Sequence, residues 1–427
     1  MPAVGRRGRF YRPASFNPPS CRRRCQPMRI LMIAPEPFFE PRGTPFSEYH
    51  RIRALADLGH TVDLVTYPFG TDVALPGLRV FRCLRPPFIR RVRIGPSWAK
   101  VALDLALAFT ALRRALAQRY DVVHSHEEGA AIGVVLAWFI RRPHLYDMHS
   151  SLPQQLENFS FSRSRLLKAA FSWLERVVVR RSRVVIVICP HLAETVKGIL
   201  PSAEPVLIEN APGSGDAPSA GSGALVRSEF GLGADTPLVV YTGTFEAYQG
   251  LDLLFDAAAR VRQTRPDARF LLAGGRPEQV AAARALARRA GVEAETIFAG
   301  ERPASEIPLF LDAADVLVSP RSTGTNTPLK IYQYLRAGRP IVATRLLTHT
   351  QVLDDEVAVL TDPTSDGLAA GMLEAIGNRA LAAAVGRRAQ ELAEHKYSYA
   401  AYVEKTRQAV SALQDGEALA APAGGLS

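Results

Sequence analysis

The stretch at 324–344, GTNTPLKIYQYLRAGRPIVAT, has the residue types of a loop that opens a short helix and leads into a strand. Thr327 is a plausible N-cap, Pro328 suits the first helical position, and Gly338 suits the end. Lys330 then falls in the first turn, where the helix dipole disfavours a cation unless an anion lies between them. We therefore expect a phosphate-binding site; the alternative is a surface lysine that points into solvent.

A second candidate anion site follows the first apolar run of the chain. Gly43 and Thr44 lie between the run at 29–35 and the helical pattern at 47–60. A glycine lets backbone amides approach a ligand closely, and a helix N-terminus favours an anion. A glycine needed only for the turn explains the same residues, and both interpretations stay open.

The elements that must position these residues alternate along the chain. Strand-like runs are predicted at 29–35, 61–67, 77–83, 120–126, 144–150, 184–189, 205–211, 237–243, 268–275, 296–301, 314–320, 340–344 and 357–362. Helical patterns separate most of them, and a final helical region covers about 366–413. Apolar strands joined by helices indicate parallel sheets covered on both faces, which is a Rossmann-like α/β architecture. Two such domains in series place a ligand cleft between the carboxyl ends of their strands.

Composition shifts suggest the domain boundaries. The segment PGSGDAPSAGSG at 212–223 is a linker between an N-terminal domain at 28–211 and a second domain at 224–380. A helical region at 381–413 is long enough to return to the first domain, and residues 414–427 resemble a disordered tail.

The first 27 residues hold seven arginines and no acid, out of a net charge of +11 for all 427 residues. One interpretation is an arm for nucleic acid or anionic lipid. We favour an upstream extension with the true start at Met28, and we expect no nucleic-acid partner.

The other bulk properties favour a cytoplasmic protein. No apolar run reaches the roughly 20 residues of a membrane-spanning helix, and no signal peptide is recognisable. Cys21 and Cys25 lack companion ligands for zinc, so no metal site is expected. Cys83 and Cys189 lie in apolar runs and are expected to be small core residues.

One ordered set of motifs carries a family resemblance. In the first half these are ALADLGHTVDLVT, DVVHSH, LYDMHSS, VVIVICPHLAETV and VLIENAP; in the second half they are VVYTGTFEAYQGLDLLFDA, FLLAGG and ADVLVSPRSTGTNTPLKIYQYLRAGRPIVAT. Together they resemble the family-4 glycosyltransferases of the GT-B fold, from Met28 to about residue 412. The resemblance implies transfer of a sugar from a nucleotide-sugar co-substrate, with retention of configuration and no obligatory metal or other cofactor. It also implies that the donor binds the second domain and the acceptor the first.

The resemblance also implies roles for individual residues. Gly43 and Thr44 would approach the donor diphosphate, and His149 would lie beside the transferred sugar, with Lys330 as the remaining cation. His126 and Glu127, at the end of the fourth strand, would face the acceptor. The implied donor-binding set beyond these is Gly243, Thr244, Gln249, Thr325, Asn326, Thr327, Pro328 and Gln333.

Several positions depart from the family pattern. Relatives usually have Arg and Lys where this chain has Thr244 and Gln249, and they usually carry glutamates where it has Thr325 and Gln333. Gln333 can still donate to and accept from a hydroxyl, without the gain of roughly a kcal/mol from a charged partner. The replacements are all polar, which favours a subfamily with its own donor geometry. The alternative is a transferase fold that binds a donor without turnover; an epimerase or a phosphorylase is a weaker one.

The acceptor side has basic and apolar segments at 82–116 and 162–183. Such segments either contact an anionic membrane or pack as helices on a sheet with a solvated basic face. For 162–183 we favour packing on the sheet, and for 82–98 both stay open. A glycan or lipid-linked acceptor at the inner face of the cytoplasmic membrane fits the first alternative.

Overall fold

The computed structural model describes residues 26–39, 43–87, 89, 98–154, 165–210 and 221–414. The arginine-rich start, most of the linker at 212–223 and the end of the chain lie outside these residues. The described strands are β1 Arg29–Ala34, β2 Thr61–Thr66, β3 Leu78–Arg82, β4 Val122–His126, β5 His144–Met148, β6 Val184–Val187, β7 Val206–Leu207, β8 Leu238–Thr242, β9 Arg269–Ala273, β10 Thr296–Gly300, β11 Val316–Ser319, β12 Ile341–Thr344 and β13 Val359–Thr361.

The described helices separate and follow these strands. They are α1 Gly43–Asp57, α2 Trp98–Ala117, α3 Gly129–Phe139, α4 Arg165–Arg181, α5 Pro190–Ile199, α6 Gly223–Glu229, α7 Leu251–Thr264, α8 Pro277–Arg289, α9 Ile307–Ala313, α10 Leu329–Ala337, α11 Leu347–Thr350, α12 Ser365–Gly377, α13 Arg379–Lys396 and α14 Tyr399–Gln414.

Two parallel sheets result, in the orders β3-β2-β1-β4-β5-β6-β7 and β10-β9-β8-β11-β12-β13. The apolar runs predicted as strands form them because both faces of each sheet are covered by helices. The two Rossmann-like α/β domains predicted from the sequence are therefore confirmed. Strand order reverses around β1 and β4 in the first sheet and around β8 and β11 in the second. Ligands of doubly wound sheets bind outside the carboxyl ends at such reversals.

Three predicted elements differ from the structure. The strand predicted at 205–211 is only the two residues of β7, at the edge of its sheet. The single helical region predicted at 366–413 is three helices, and Asn378 divides the first two by accepting the amide of Leu381 at 3.1 Å. Helix α1 begins at Gly43 rather than near 47.

The last helix returns to the first sheet, as predicted. Tyr402, Val410 and Leu413 of α14 are buried in the same core as Ile30 of β1. Thr406 of α14 accepts a hydrogen bond from the Arg51 guanidinium of α1 at 2.9 Å. Helix α14 thus packs on the first domain.

No single helix in the described ranges is both long enough and apolar enough to cross a membrane. Helix α12 taken together with the segment Arg379–Gln414 passes by length and composition, but the two parts are bent by 98°.

Candidate active site

The loop between β11 and α10 joins the two sheets at the reversal points. Asn326 donates through Nδ2 to the backbone oxygen of His149 at 2.8 Å, which connects it to the end of β5. Gln351 donates to the backbone oxygen of Thr325 at 2.6 Å and accepts from the amide of His191 at 2.8 Å. The predicted residues Thr325, Asn326 and His149 therefore meet across the cleft.

Lys330 is the central cation of the second sheet's side of the cleft. Its side chain is buried, and its Nζ makes no hydrogen bond or ion pair with the described residues. Nζ lies 3.8 Å from the ring centroid of Tyr241, and a Cβ at Gly243 would lie 3.5 Å from it. Burial, and then the charge of Arg321, hold the pKa of Lys330 well below its usual range. An ammonium placed there without an anion is an uncompensated buried charge.

Arg321 is a second cation that the sequence interpretation missed. It donates to the backbone oxygen of Asn326 at 2.7 Å and to the Thr348 hydroxyl at 2.8 Å, and its guanidinium lies over the Tyr248 ring. Its Nε is buried without a partner among the described residues, and burial lowers the pKa of Arg321. Arg321 lies at the carboxyl end of β11, two residues beyond the last strand residue, and this position could have identified it as a site residue from the sequence.

The loop after β8 faces these cations. Gly243 has a φ of +136°, which favours glycine, and it precedes Thr244. Gln249 is buried and donates to the Thr244 hydroxyl at 3.3 Å, while its Oε1 has no partner in the described chain. The two neutral residues thus contact each other where the resemblance implies an arginine and a lysine.

The predicted start of α10 is wrong by one position. Pro328 is the N-cap and Leu329 the first helical residue, and no side chain caps the helix. Thr327, predicted as the cap, is buried with an Oγ1 that has no partner within the described segments. Lys330 still lies in the first turn, and Gly338 ends the helix with a φ of +65°, as predicted.

Gln333 lies one turn beyond Lys330 and lines a cavity between α10 and α1. The first sheet's contribution to that cavity includes Ser47 and His50 of α1 and Tyr402 of α14. Both ring nitrogens of His50 are buried without partners in the described chain, and burial lowers its pKa to about 4. His50 therefore presents a neutral ring to Gln333, and it was not among the predicted residues.

The predicted anion loop at Gly43 is the first turn of α1. Gly43 has a φ of +56°, and Thr44 follows it as a half-buried residue. The residues one turn later, Phe46 and Ser47, line the cavity with Gln333. The N-terminus of α1 therefore opens beside this cavity.

The first sheet's side of the cleft holds a buried ion pair. Arg51 of α1 donates through Nε to Asp147 of β5 at 2.9 Å, and both side chains are almost inaccessible. Burial opposes ionisation of Asp147, but the charge of the Arg51 guanidinium outweighs it, so the pKa of Asp147 lies well below its usual range. The carboxylate is held ionised within the protein.

Three histidines surround this carboxylate. His149 Nε2 lies 3.4 Å from Asp147 Oδ1 and 3.3 Å from His126 Nδ1. His124 stacks on His126 with ring centroids 4.7 Å apart. Burial lowers the pKa of each histidine, so all three are neutral at physiological pH.

His126 and Glu127, the predicted acceptor-side residues, lie buried at the end of β4. His126 is fully buried, with Nδ1 3.8 Å from Glu48. Glu127 is buried with a φ of +46°, and it accepts from the Ser150 hydroxyl at 2.8 Å. The end of β4 is thus covered by α1 and by the loop after β5, and the acceptor-side role of these two residues stays a prediction.

Two further buried carboxyl groups lie beside this cluster. Burial, followed by the neighbouring carboxylate, raises the pKa of Glu36 well above its usual range. Burial likewise raises the pKa of Glu48.

The ligand atoms of His124, His126 and Asp147 lie within 4.8 Å of one another, which is the spacing of a metal site. Arg51 already neutralises this carboxylate at hydrogen-bond distance. A divalent cation there would be repelled by the guanidinium, so the cluster fits an ion pair with neutral histidines better than a metal site.

Comparison with known proteins agrees with the geometry of both halves. Residues 49–211 match the family described as "Glycosyl transferase 4-like domain", and residues 236–378 match "Glycosyl transferases group 1". The chain is 28% identical over 368 residues to a D-inositol 3-phosphate glycosyltransferase of Kribbella flavida, covering 78% of this chain and 84% of that protein.

Solved structures share the fold. Sucrose-phosphate synthase of Thermosynechococcus elongatus superposes with a TM-score of 0.75 at 19% identity, over 91% of this chain and all of that one. The Anabaena protein Alr3699/HepE, solved with UDP-glucose, superposes with a TM-score of 0.70 at 18% identity, over 90% of this chain and 99% of that one. The expected GT-B fold is confirmed, and the chain is a glycosyltransferase that joins a glycosyl transferase 4-like domain to a glycosyl transferases group 1 domain.

Proposed function

We propose that this enzyme is a retaining glycosyltransferase that moves a sugar from a nucleotide-sugar donor to a glycan or lipid-linked acceptor. The observation that carries the proposal is Lys330, a buried cation with no anionic partner among the described residues. A cation with no partner in the protein is suited to a ligand's charge. The donor diphosphate supplies that charge.

The surroundings of Lys330 favour a diphosphate over a single carboxylate. Arg321 adds a second cation, and the first amides of α10 have no partners within the helix. A diphosphate carries two negative charges, which this pair of cations matches. In the reaction, the bond between the anomeric carbon and the diphosphate oxygen breaks. These cations then stabilise the charge of the departing nucleoside diphosphate.

The neutral residues of the cleft suit hydroxyl groups. Gln249 Oε1 and Thr327 Oγ1 are buried without partners in the described chain, and Gln333 lines the neighbouring cavity. Thr244 and Gly243 lie beside Gln249 in the loop after β8. Amides and hydroxyls both donate and accept, so they can bind ribose or sugar hydroxyls that have no charge. Thr325 and Asn326 complete this donor set from the β11–α10 loop.

His149 is proposed to bind the transferred sugar and to stabilise charge at the reacting carbon. Its neutral ring is oriented by Asp147 and His126, and its backbone is held by Asn326. Retention means that the acceptor oxygen forms its bond on the face that the diphosphate leaves. The acceptor proton then leaves with the nucleoside diphosphate, so neither a metal nor another cofactor is needed for balance.

The nucleotide is best sought first among uridine diphosphates, because Alr3699/HepE was solved with UDP-glucose. The test is thermal stabilisation of the full chain by UDP-, GDP- and ADP-sugars, because a ligand that binds only the folded state raises its apparent stability. One class is expected to stabilise the wild type and not Lys330→Met. Lys197→Ala, an exposed lysine of α5, is the matched control and should respond as wild type does.

The stabilising donor is then incubated with candidate acceptors, and the anomeric configuration of the product is read by NMR. Retention of the donor's configuration supports the proposal, and inversion overturns it. Tight donor binding without transfer or hydrolysis would favour the alternative, a binding protein on a transferase fold. Strict dependence on inorganic phosphate would favour a phosphorylase.

A further inference from the structure

Three helices lie side by side on one face of the first sheet. Leu103 and Leu107 of α2 and Leu136 of α3 pack in one core with Val123 of β4. Helix α4 follows on the same face, where Val178 packs with residues of β5 and β6. The order across this face is therefore α2, α3 and α4, and their opposite sides point away from the sheet.

These opposite sides are apolar. They carry most of the large apolar side chains that are exposed in the described chain: Val101, Leu105, Phe109, Leu112 and Leu116 on α2, Val135, Trp138 and Phe139 on α3, and Leu166 and Trp173 on α4. We call these residues the apolar face. Leu105 is 70% exposed, Trp138 73% and Leu166 84%. The α2 positions recur every three or four residues, so they form one stripe along the helix. A contiguous exposed apolar surface of this kind marks an interaction site.

The charges around the apolar face have one sign. The three helices hold two carboxylates, and neither is free: Asp104 accepts from Tyr67 at 2.5 Å, and Glu175 is buried and accepts from the Leu152 amide at 2.8 Å. The exposed ionised residues of the three helices, and the two arginines that follow α3, are all basic: Arg113, Arg141, Arg142, Arg165, Arg176, Arg180 and Arg181. The three helices therefore carry no exposed acidic residue.

We propose that the apolar face docks this enzyme on an anionic lipid bilayer. Amphipathic helices with large apolar residues on one side and basic residues around them bind the headgroup region of such membranes. Tryptophan is favoured there, because its ring is apolar and its N–H is polar. The basic residues are attracted to anionic headgroups. The proposal concerns the whole enzyme's location and does not depend on the donor site.

The charge around the apolar face favours lipid over a second copy of the chain. A symmetric dimer through this face would bring the same basic residues of both copies together, with no exposed acid on the three helices to pair with them. A lipid surface supplies both the missing negative charge and an apolar layer.

The docking surface overlaps both segments suspected from the sequence, 82–116 through α2 and 162–183 through α4, and α3 adds to it. Ile89, in the segment 82–98, is buried rather than exposed, and most of that segment's second half lies outside the described residues. Within α4, Val178 packs on the sheet while Leu166 and Trp173 point outward. Most of the exposed surface comes from α2 and α3.

The test is flotation of the full chain with vesicles of phosphatidylcholine plus phosphatidylglycerol, without donor or acceptor. Wild type is expected to float with these vesicles, less at high salt, and not with phosphatidylcholine alone. Leu105→Ser and Trp138→Ser are each expected to weaken the partition coefficient by about tenfold. Arg141→Gln and Arg142→Gln are expected to weaken it by about fivefold each.

Leu225→Ser and Leu347→Ser are the matched controls, because both residues are exposed leucines of the second domain. They should float as wild type does, and thermal unfolding should show all variants folded. Equal flotation of Leu105→Ser, Trp138→Ser and wild type overturns the proposal. So does a wild-type dimer in solution that either serine variant dissociates, because the face would then bind a second copy. Because no transfer is measured, the result stands apart from the proposed reaction.

Discussion

On the first sheet's side of the cleft a buried carboxylate is paired with an arginine of the protein. On the second sheet's side two buried cations have no carboxylate partner among the described residues. Asp147 is held by Arg51 and is surrounded by neutral histidines. Lys330 and Arg321 form no ion pair with the described residues, and burial lowers the pKa of both. The two sides therefore differ in how charge is balanced: the carboxylate of Asp147 has a cationic partner in the protein, whereas Lys330 and Arg321 gain an anionic partner only from a ligand.

This difference separates structural roles from ligand-binding roles among residues of similar type. A buried ion pair is costly to break, because the remaining partner is left uncompensated. A buried cation without a partner already destabilises the folded protein. Its removal should therefore maintain or raise the free energy of unfolding while it weakens ligand binding. Substitution of the ion pair on the first sheet's side should therefore lower stability. Substitution of Lys330 on the second sheet's side should weaken ligand binding without lowering stability.

The largest expected effect is on the first side. Asp147→Asn leaves the Arg51 guanidinium buried without its carboxylate, and the free energy of unfolding should fall by about 3 to 5 kcal/mol. Urea unfolding measures it. Glu404→Gln removes the partner of Arg407 in an exposed pair on α14 and should change stability by less than about 1 kcal/mol. A loss from Asp147→Asn no larger than that of the control would show that the pair does not stabilise the fold.

The next effect is on donor affinity. Lys330→Met should weaken binding of the stabilising nucleotide-sugar by about a hundredfold, because one partner of a buried charge pair is lost. Titration calorimetry gives the dissociation constant, with Lys197→Ala as the unchanged control. Equal affinity in Lys330→Met and wild type would exclude Lys330 from the donor site.

The pH dependence of binding follows from the lowered pKa of Lys330. In the free protein the side chain loses its proton at a pH well below the usual value of about 10 for a lysine. A bound anion favours the protonated form, so donor binding takes up a proton whenever the pH lies above the lowered pKa. Affinity should then fall as pH rises, by up to about tenfold per unit.

Dissociation constants measured at increasing pH test this sign. The slope should vanish in Lys330→Met, because methionine has no proton to take up. A slope that persists in that variant would assign the proton uptake to another group.

The smallest effect is expected at Gln333. Gln333→Ala removes one uncharged hydrogen-bonding group from the cavity and should weaken donor binding by about fivefold. Gln351→Ala is the comparison variant. Gln351 is also polar, but its hydrogen bonds to Thr325 and His191 join the two sides of the cleft. An unchanged dissociation constant for Gln333→Ala would place the donor away from the cavity.

Much of the fold was predictable, because apolar runs with intervening helical patterns determine a parallel sheet locally. The strand predicted at 205–211 was too long, because only Val206 and Leu207 pair with β6. The first turn of α10 was predicted to within one residue from Pro328 and Gly338. The final helical region was predicted with a domain boundary at residue 380, which is two residues from the break that Asn378 makes after α12.

The candidate site was predicted less fully. Lys330 and His149 follow from local spacing and from the resemblance. Arg321 and His50 were missed, because their importance depends on burial and on contacts across the chain, such as those with Thr348 and with the cavity around Gln333. The burial of His126 under α1 could not be predicted, because strand ends look alike in sequence whether or not another helix covers them.

The most direct test compares the free energy of unfolding of Lys330→Met with that of wild type, both without ligand, by urea denaturation at neutral pH. If the partner of Lys330 is a bound anion, the variant should be as stable as wild type or more stable by up to about 2 kcal/mol. The reason is that the substitution removes an unpaired buried amine and loses only its contact with Tyr241. A loss of several kcal/mol, similar to that of Asp147→Asn, would show instead that the protein itself supplies the partner of Lys330.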